Sequence, residues 1–176
     1  KETNIIVNFK HTVAEDELIL YPFGSLIGEE CIEDHICCND GLNYTNAAGE
    51  KYNIQTLKYI ITNISLHDEN ENSILLNDIH YIDVENESTL QFNIGEIANG
   101  NYTSLSFTMG LENSMNTQEY YINESWHLTM AWPDIMGGGY HYMKLEGDFD
   151  TITKGYATHT GALQMMGDPI RTDHSF

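Results

Sequence analysis

The sequence predicts an all-β fold, an antiparallel β-sandwich or barrel-like single domain with long loops. Three observations carry this expectation. Apolar and polar residues alternate in several short stretches, which puts the apolar ones on one face of a strand. Clusters of Asn, Gly and acidic residues separate those stretches at short, regular intervals. No long segment has the 3.6-residue period of an amphipathic helix, so strands must supply the core.

The segment NIIVNFKHTV (4–13) opens with β-branched residues and then alternates, with Val7, Phe9 and His11 on one face. After ELILYPF comes a loop from about Tyr21 to Asn43, too long for a simple connection and predicted as an insertion. Asn46 to Gly49 is a turn cluster, and IQTLKYIITNISL after it is a long strand rich in Ile, Thr and Tyr. DENENS (68–73) is a polar turn, ILLNDIHYIDV (74–84) a strand and ENES a second turn. TLQFNIGEI (89–97), the turn ANGN and YTSLSFTMGL (102–111) read as a hairpin. From Glu112 to Glu124 the pattern dissolves into a loop with room for a short helix. GYHYMKLEGDF then alternates, with His141, Met143 and Leu145 on one face and Tyr140, Tyr142 and Lys144 on the other. GYATHTGALQMM sets Ala157, His159 and Gly161 opposite Tyr156, Thr158 and Thr160.

At 176 residues the chain suits one domain, 1–176, able to bury a core without metal or disulfide help, so any metal serves function. The 27 Asp and Glu against 7 Lys and Arg give a net charge of -20, which repels phosphate backbones and makes nucleic acid an unsuitable partner. Cations are the natural partners, although acidity also serves solubility. No apolar run approaches a membrane span and no signal-peptide pattern opens the chain, so a mature form is expected.

Cys31, Cys37 and Cys38 crowd into CIEDHICC around His35. Three readings compete: a disulfide from Cys31 to Cys37 or Cys38, a thiolate and imidazole metal clip whose spacing matches no zinc pattern, and inert buried thiols. The disulfide is favoured.

WHLTMAWPDIMGGGYHYMKLEG (126–147) is the stretch around which the rest is organised. It gathers both tryptophans, two of the eight histidines, three of the seven methionines and a triple glycine. Imidazole and thioether suit soft or borderline ions such as Cu(I), and the glycines allow a sharp bend. Taken alone, however, Trp, Met and Tyr at alternating positions are more often core filler.

YTNAAGEKYNIQTLKYIITNISLHD, NGNYTSLSFTMGL and GGGYHYMKLEG together resemble the MbnP family of secreted bacterial copper-binding proteins, from about Asn4 to about Met165. The resemblance implies a β-rich extracytoplasmic domain, periplasmic or at the cell surface and open to a lipid anchor on the outer membrane. In copper-binding members it also implies a site of histidines plus kynurenine, an oxidised tryptophan made by the dihaem peroxidase-like partner MbnH. An outer-membrane TonB-dependent transporter is a second implied partner.

The family's F-x-H is matched by Phe9 and His11, and its late histidine before a glycine by His159 in ATHTG. Strands at the two chain ends that paired as neighbours would bring these imidazoles together. Where members often carry W-x-W, this chain has Met130-Ala131-Trp132. Either Trp132 is the residue converted, or Met130 serves as a thioether ligand with no conversion; Trp126 is the other candidate for oxidation. The insertion at about 21–43 is unexplained by the resemblance.

The candidate metal ligands for copper, Cu(I) or Cu(II), are therefore His11, His159, His141, Trp132, His127, Met130 and Met136. A lone strand histidine is more often hydrogen-bonded core than ligand, and the family match raises His11 and His159 above that reading. His80 is rated lower, and His67, His35 and His174 read as exposed. DENEN and ENES lack the ordered spacing of a calcium loop. The five N-x-S/T triplets, at Asn43, Asn63, Asn86, Asn101 and Asn123, read as chance. GGG lacks the setting of a phosphate loop, and no catalytic motif appears, so the chain is not expected to be an enzyme. A blue-copper oxidoreductase is disfavoured because the cysteines lie in the wrong loop. Two functions remain: an extracytoplasmic protein for copper acquisition or delivery, and a β-sandwich interaction module, such as an accessory surface lipoprotein, without metal.

Overall fold

The computed structural model describes residues 2–21, 41–149 and 154–162, with the backbone of three two-residue strands beyond them. Cys31, Cys37, Cys38 and His35 lie outside the described residues, as does most of the predicted insertion. In chain order the strands are β1 (Glu2–Asn8), β2 (Thr12–Val13), β3 (Asp16–Glu17), β4 (Tyr44–Thr45), β5 (Lys51–Tyr52), β6 (Thr56–Asp68), β7 (Ser73–Asp83), β8 (Gln91–Ala98), β9 (Tyr102–Met109), β10 (His141–Phe149) and β11 (Lys154–Gly161). The short β12 (Gln164–Met165), β13 (Asp168–Pro169) and β14 (His174–Ser175) follow, and a four-residue helix, α1, spans His127–Met130. The fold is all-β with antiparallel pairing, as predicted.

The chain forms two compact units, one of Lys1–Phe9, Lys58–Lys144 and His159–Phe176, the other of Lys10–Leu57 and Leu145–Thr158. In the first, β6 is flanked by β7 and β9, and it feeds two apolar clusters. Ile60 joins Leu111, Trp126, Met130, Tyr140, Tyr142 and Ala162, while Ile61 and Ile64 join Ile82. Strict alternation would send Ile61 and Ile64 to opposite faces. The left-handed Asn63 (φ 53) between them, where the register with β9 slips, resets the parity. The full burial of Ile60 and Ile82 removes about 1.5–3 kcal/mol of apolar exposure per side chain.

In the second unit, the predicted turn at Asn46 closes the β4–β5 hairpin. The Asn46 side-chain oxygen accepts from the Ala48 and Glu50 amides, and Gly49 takes φ +85. Asn53, fully buried, donates to the Gly41 carbonyl and accepts from the Asp148 amide, and its carbonyl accepts the Tyr156 hydroxyl. A buried amide so fully satisfied fixes register without leaving an orphan polar group.

Three expectations are corrected. The hairpin predicted from 89–97 and 102–111 does not form, because β8 pairs with β1 and β9 with β6. The strand predicted over 4–13 ends at Asn8, because the chain then turns through the tight β2–β3 hairpin with Ala14 at φ 56. The ends of the chain do not pair as neighbouring strands: β1 takes β8, matching Val7 to Phe92, and β11 takes β10.

Candidate metal centre

The segment from α1 to β10 doubles back on itself. Ala131 forms a bridge with Tyr140, and the Trp132 amide donates to the Gly139 carbonyl at 2.8 Å. Between them lie a single 3-10 turn, Asp134–Met136, and three successive glycines with φ of 109, 68 and 85. Three left-handed residues in a row are costly for any side chain but glycine, which explains the GGG run. A Cβ at Gly139 would also collide with the side-chain oxygen of Asn116, which accepts from the Tyr140 amide at 2.7 Å.

This turn sets Trp132 beside the first residue of β10. The indole meets the His141 imidazole edge to face, with ring centres 4.3 Å apart and planes at 76°. His159, on the neighbouring strand β11, lies next, its ring centre 4.7 Å from that of His141. Gly161 shares the strand face of His159, and a Cβ there would come within 2.9 Å of the Trp132 ring. The glycine is the seat of the indole. His141 is 6% exposed, Trp132 half-buried and His159 exposed, so a buried imidazole and an accessible one stand together under an aromatic edge.

Imidazole nitrogen binds transition metals at about 2.0–2.1 Å, which puts the centres of two rings on one tetrahedral ion about 5 Å apart. The 4.7 Å separation of His141 and His159 fits that requirement. Among the described residues no group of three or more His, Cys, Asp or Glu gathers as a metal site.

The other candidates have different surroundings. Trp126, 6% exposed, lies among Tyr81, Tyr121 and Tyr140 with ring centres 5.9, 5.1 and 5.6 Å away. Nδ1 of His127 is 2.8 Å from the Tyr140 hydroxyl. Met130 is fully buried in the apolar cluster, whereas Met136 is exposed. His11 belongs to the second unit, where it is half-buried, and burial lowers its pKa. His80 stacks on Phe9 and packs tilted against Phe92, with Nε2 2.8 Å from the Thr89 carbonyl, and burial pushes its pKa down. His67 bonds Ser106 through Nε2. Sequence reasoning missed two supports of the site. Gly161 was legible as the glycine two residues after His159 on one strand face, while nothing in the loop sequence marks Asn116.

The model of the MbnP family matches residues 2–174 of the chain. The chain belongs to the MbnP family. No curated protein matches it, and no solved structure matches it. The MbnP family is extracytoplasmic and linked to copper and methanobactin systems. Among the described residues no helix is long and apolar enough to cross a membrane.

Proposed function

We propose that this MbnP-family protein takes up copper outside the cytoplasm and hands it on, with His141 and His159 as imidazole ligands and Trp132 as the source of the next donor. The observation that carries this reading is the contact series Trp132, His141, His159, two ligand-type rings at the right separation with an aromatic edge against them. Conversion of Trp132 to kynurenine takes four oxidising equivalents, two peroxides reduced to water; the indole C2–C3 bond breaks with one oxygen on each carbon, and hydrolysis by water then releases C2 as formate. It leaves a ketone and a free aromatic amine where the indole stood. Peroxide, used by an MbnH-like dihaem peroxidase, is the oxidant. An outer-membrane TonB-dependent transporter is the second partner, and a lipid anchor would keep the protein near it. Ligands fixed by two paired strands before metal arrives bind tightly because little ordering remains to be done. The net charge of -20 favours the approach of a cation. The protein binds and delivers rather than turning over a substrate.

Copper titration tests the reading. His141→Ala and His159→Ala should each weaken copper binding by more than about tenfold, while His127→Ala leaves it unchanged. No stoichiometric copper in the parent protein would favour the metal-free interaction module instead, and unaltered affinity in both site variants would remove His141 and His159 from the site.

A further inference from the structure

The second unit carries a cavity that copper binding does not use. Leu145, Gly147 and Phe149 share one face of β10, since side chains alternate along a strand. A Cβ at Gly147 would come within 2.9 Å of the Tyr156 ring, so this glycine is what lets that ring lie over β10. Tyr52 sits opposite Phe149 in the β5–β10 pairing, and its ring centre is 6.5 Å from that of Tyr156, with the planes at 72°. With Leu145 the three rings wall a cavity of about 520 Å³, bordered also by Asn46, Glu50 and Lys51. Small-molecule sites occupy about 300–1,000 Å³. Rings that served only as core would close such a space. Here the space stays open and Phe149 is 39% exposed.

Three features of the cavity limit its ligand. The polar groups around the rings are largely committed. The Asn46 side-chain oxygen accepts the Ala48 and Glu50 amides, the Tyr156 hydroxyl donates to the Asn53 carbonyl at 2.7 Å, and the hydroxyl of Tyr44, packed against Tyr52, is held by Ile19. A sugar or another ligand rich in hydroxyl groups would give up water there without replacement. The charge is negative. Glu50 has the strand parity of Tyr52 while Lys51 alternates to the other face, and the charge of Asp148 also reaches Tyr156. With a net charge of -20 on the chain, anions are disfavoured. The walls themselves are aromatic, and two of them meet near a right angle. Ring faces attract a cation that sheds its water readily, whereas a metal ion or a primary ammonium keeps its hydration shell.

We propose that this cavity binds a small organic cation with an alkylated nitrogen, held against the rings of Tyr52, Phe149 and Tyr156 with the Glu50 carboxylate as counter-charge. The N-methyl groups replace water on the ring faces, and the remainder of the molecule lies along Leu145. Binding forms and breaks no covalent bond. The site stands apart from the copper reading, since none of its residues is assigned to metal and all of them belong to the second unit.

The test is a proton magnetic resonance titration of the full copper-free chain with choline and, separately, with dimethylbutanol, the neutral isostere in which carbon replaces the nitrogen. The expected result is saturable choline binding, with the N-methyl signal moved upfield by the rings, and an isostere weaker by about threefold or more. Phe149→Leu keeps apolar bulk and removes the ring, and it should weaken choline binding by about the same factor. Glu50→Gln should do likewise. Glu50 is exposed, so its variant folds and keeps the test decisive if the Phe149 variant does not. Equal affinity for the two probes, absence of saturable choline binding, or choline affinity unchanged in both variants would overturn the proposal.

Discussion

Trp126 and Trp132 lie six positions apart in one short stretch, and composition gives no way to choose between them. Their surroundings differ in kind. Trp126 is enclosed by three tyrosine rings and by Met130, Ile60 and Leu111 of the core, where its work is packing. Trp132 is half-buried, rests on a glycine and touches the first of two adjacent imidazoles. What separates them is the backbone between. The helix α1 ends at Met130, and the bridge from Ala131 to Tyr140 sets Trp132 against the beginning of β10. In the proposed site, Trp132 owes its place to the strand it is folded onto.

The largest effect that can break this contrast is at Trp126. Trp126→Ala should lower unfolding free energy by about 3–5 kcal/mol, the usual cost of removing a buried aromatic, and leave copper affinity of the folded protein intact. Trp132→Ala should show the reverse balance, a smaller stability loss and a large fall in copper binding. Denaturant titration and copper titration on the same pair of variants read both halves.

Gly161→Val sharpens the contrast from the other side. Its Cβ would press on the Trp132 ring and move the indole off its seat. Overpacking of this kind costs about 1–3 kcal/mol, and copper binding should fall while the near-ultraviolet signal of Trp126 persists.

The smallest effect concerns a histidine packed in the manner of Trp126. His80 lies between two phenylalanines, and burial lowers its pKa in the fold. The unfolded chain therefore binds the proton more readily. Stability from this group is complete above the ordinary imidazole pKa of about 6.5 and is lost as pH falls through it towards the lower folded value. His80→Phe should flatten the decline in melting temperature between neutral and mildly acidic pH, without altering copper binding. His11, also lowered by burial, contributes with the same sign.

Alternation made most strands legible, because a half-buried strand writes its faces directly into the sequence. The turn at Asn46 and the existence of β8 and β9 were readable on that basis, but not their partners, since β8 pairs with β1 and β9 with β6. Alternation does not describe the fold in two places. At the start of β10, Tyr140, His141 and Tyr142 are all buried, so two faces of equal burial read as one apolar and one aromatic. In β6, the left-handed Asn63 resets the parity at a bulge that no residue preference announces. Of the site, His159 and Trp132 were nameable from the family resemblance and His141 from the central motif, yet their mutual contact was not. It depends on the glycine turn, on Asn116 and on the vacancy at Gly161, each a matter of space rather than of residue type. Met130 illustrates the opposite limit: the position invites a ligand, and its side chain is fully buried in the core.

The measurement that bears most directly on the proposed copper site is peptide mass spectrometry of protein purified from its native host, with metal analysis of the same sample. The account predicts a gain of one oxygen and a loss of one carbon at Trp132, unmodified Trp126, and copper bound in proportion to that modification. The same mass change at Trp126, or stoichiometric copper on a chain whose two tryptophans are both intact, would contradict it.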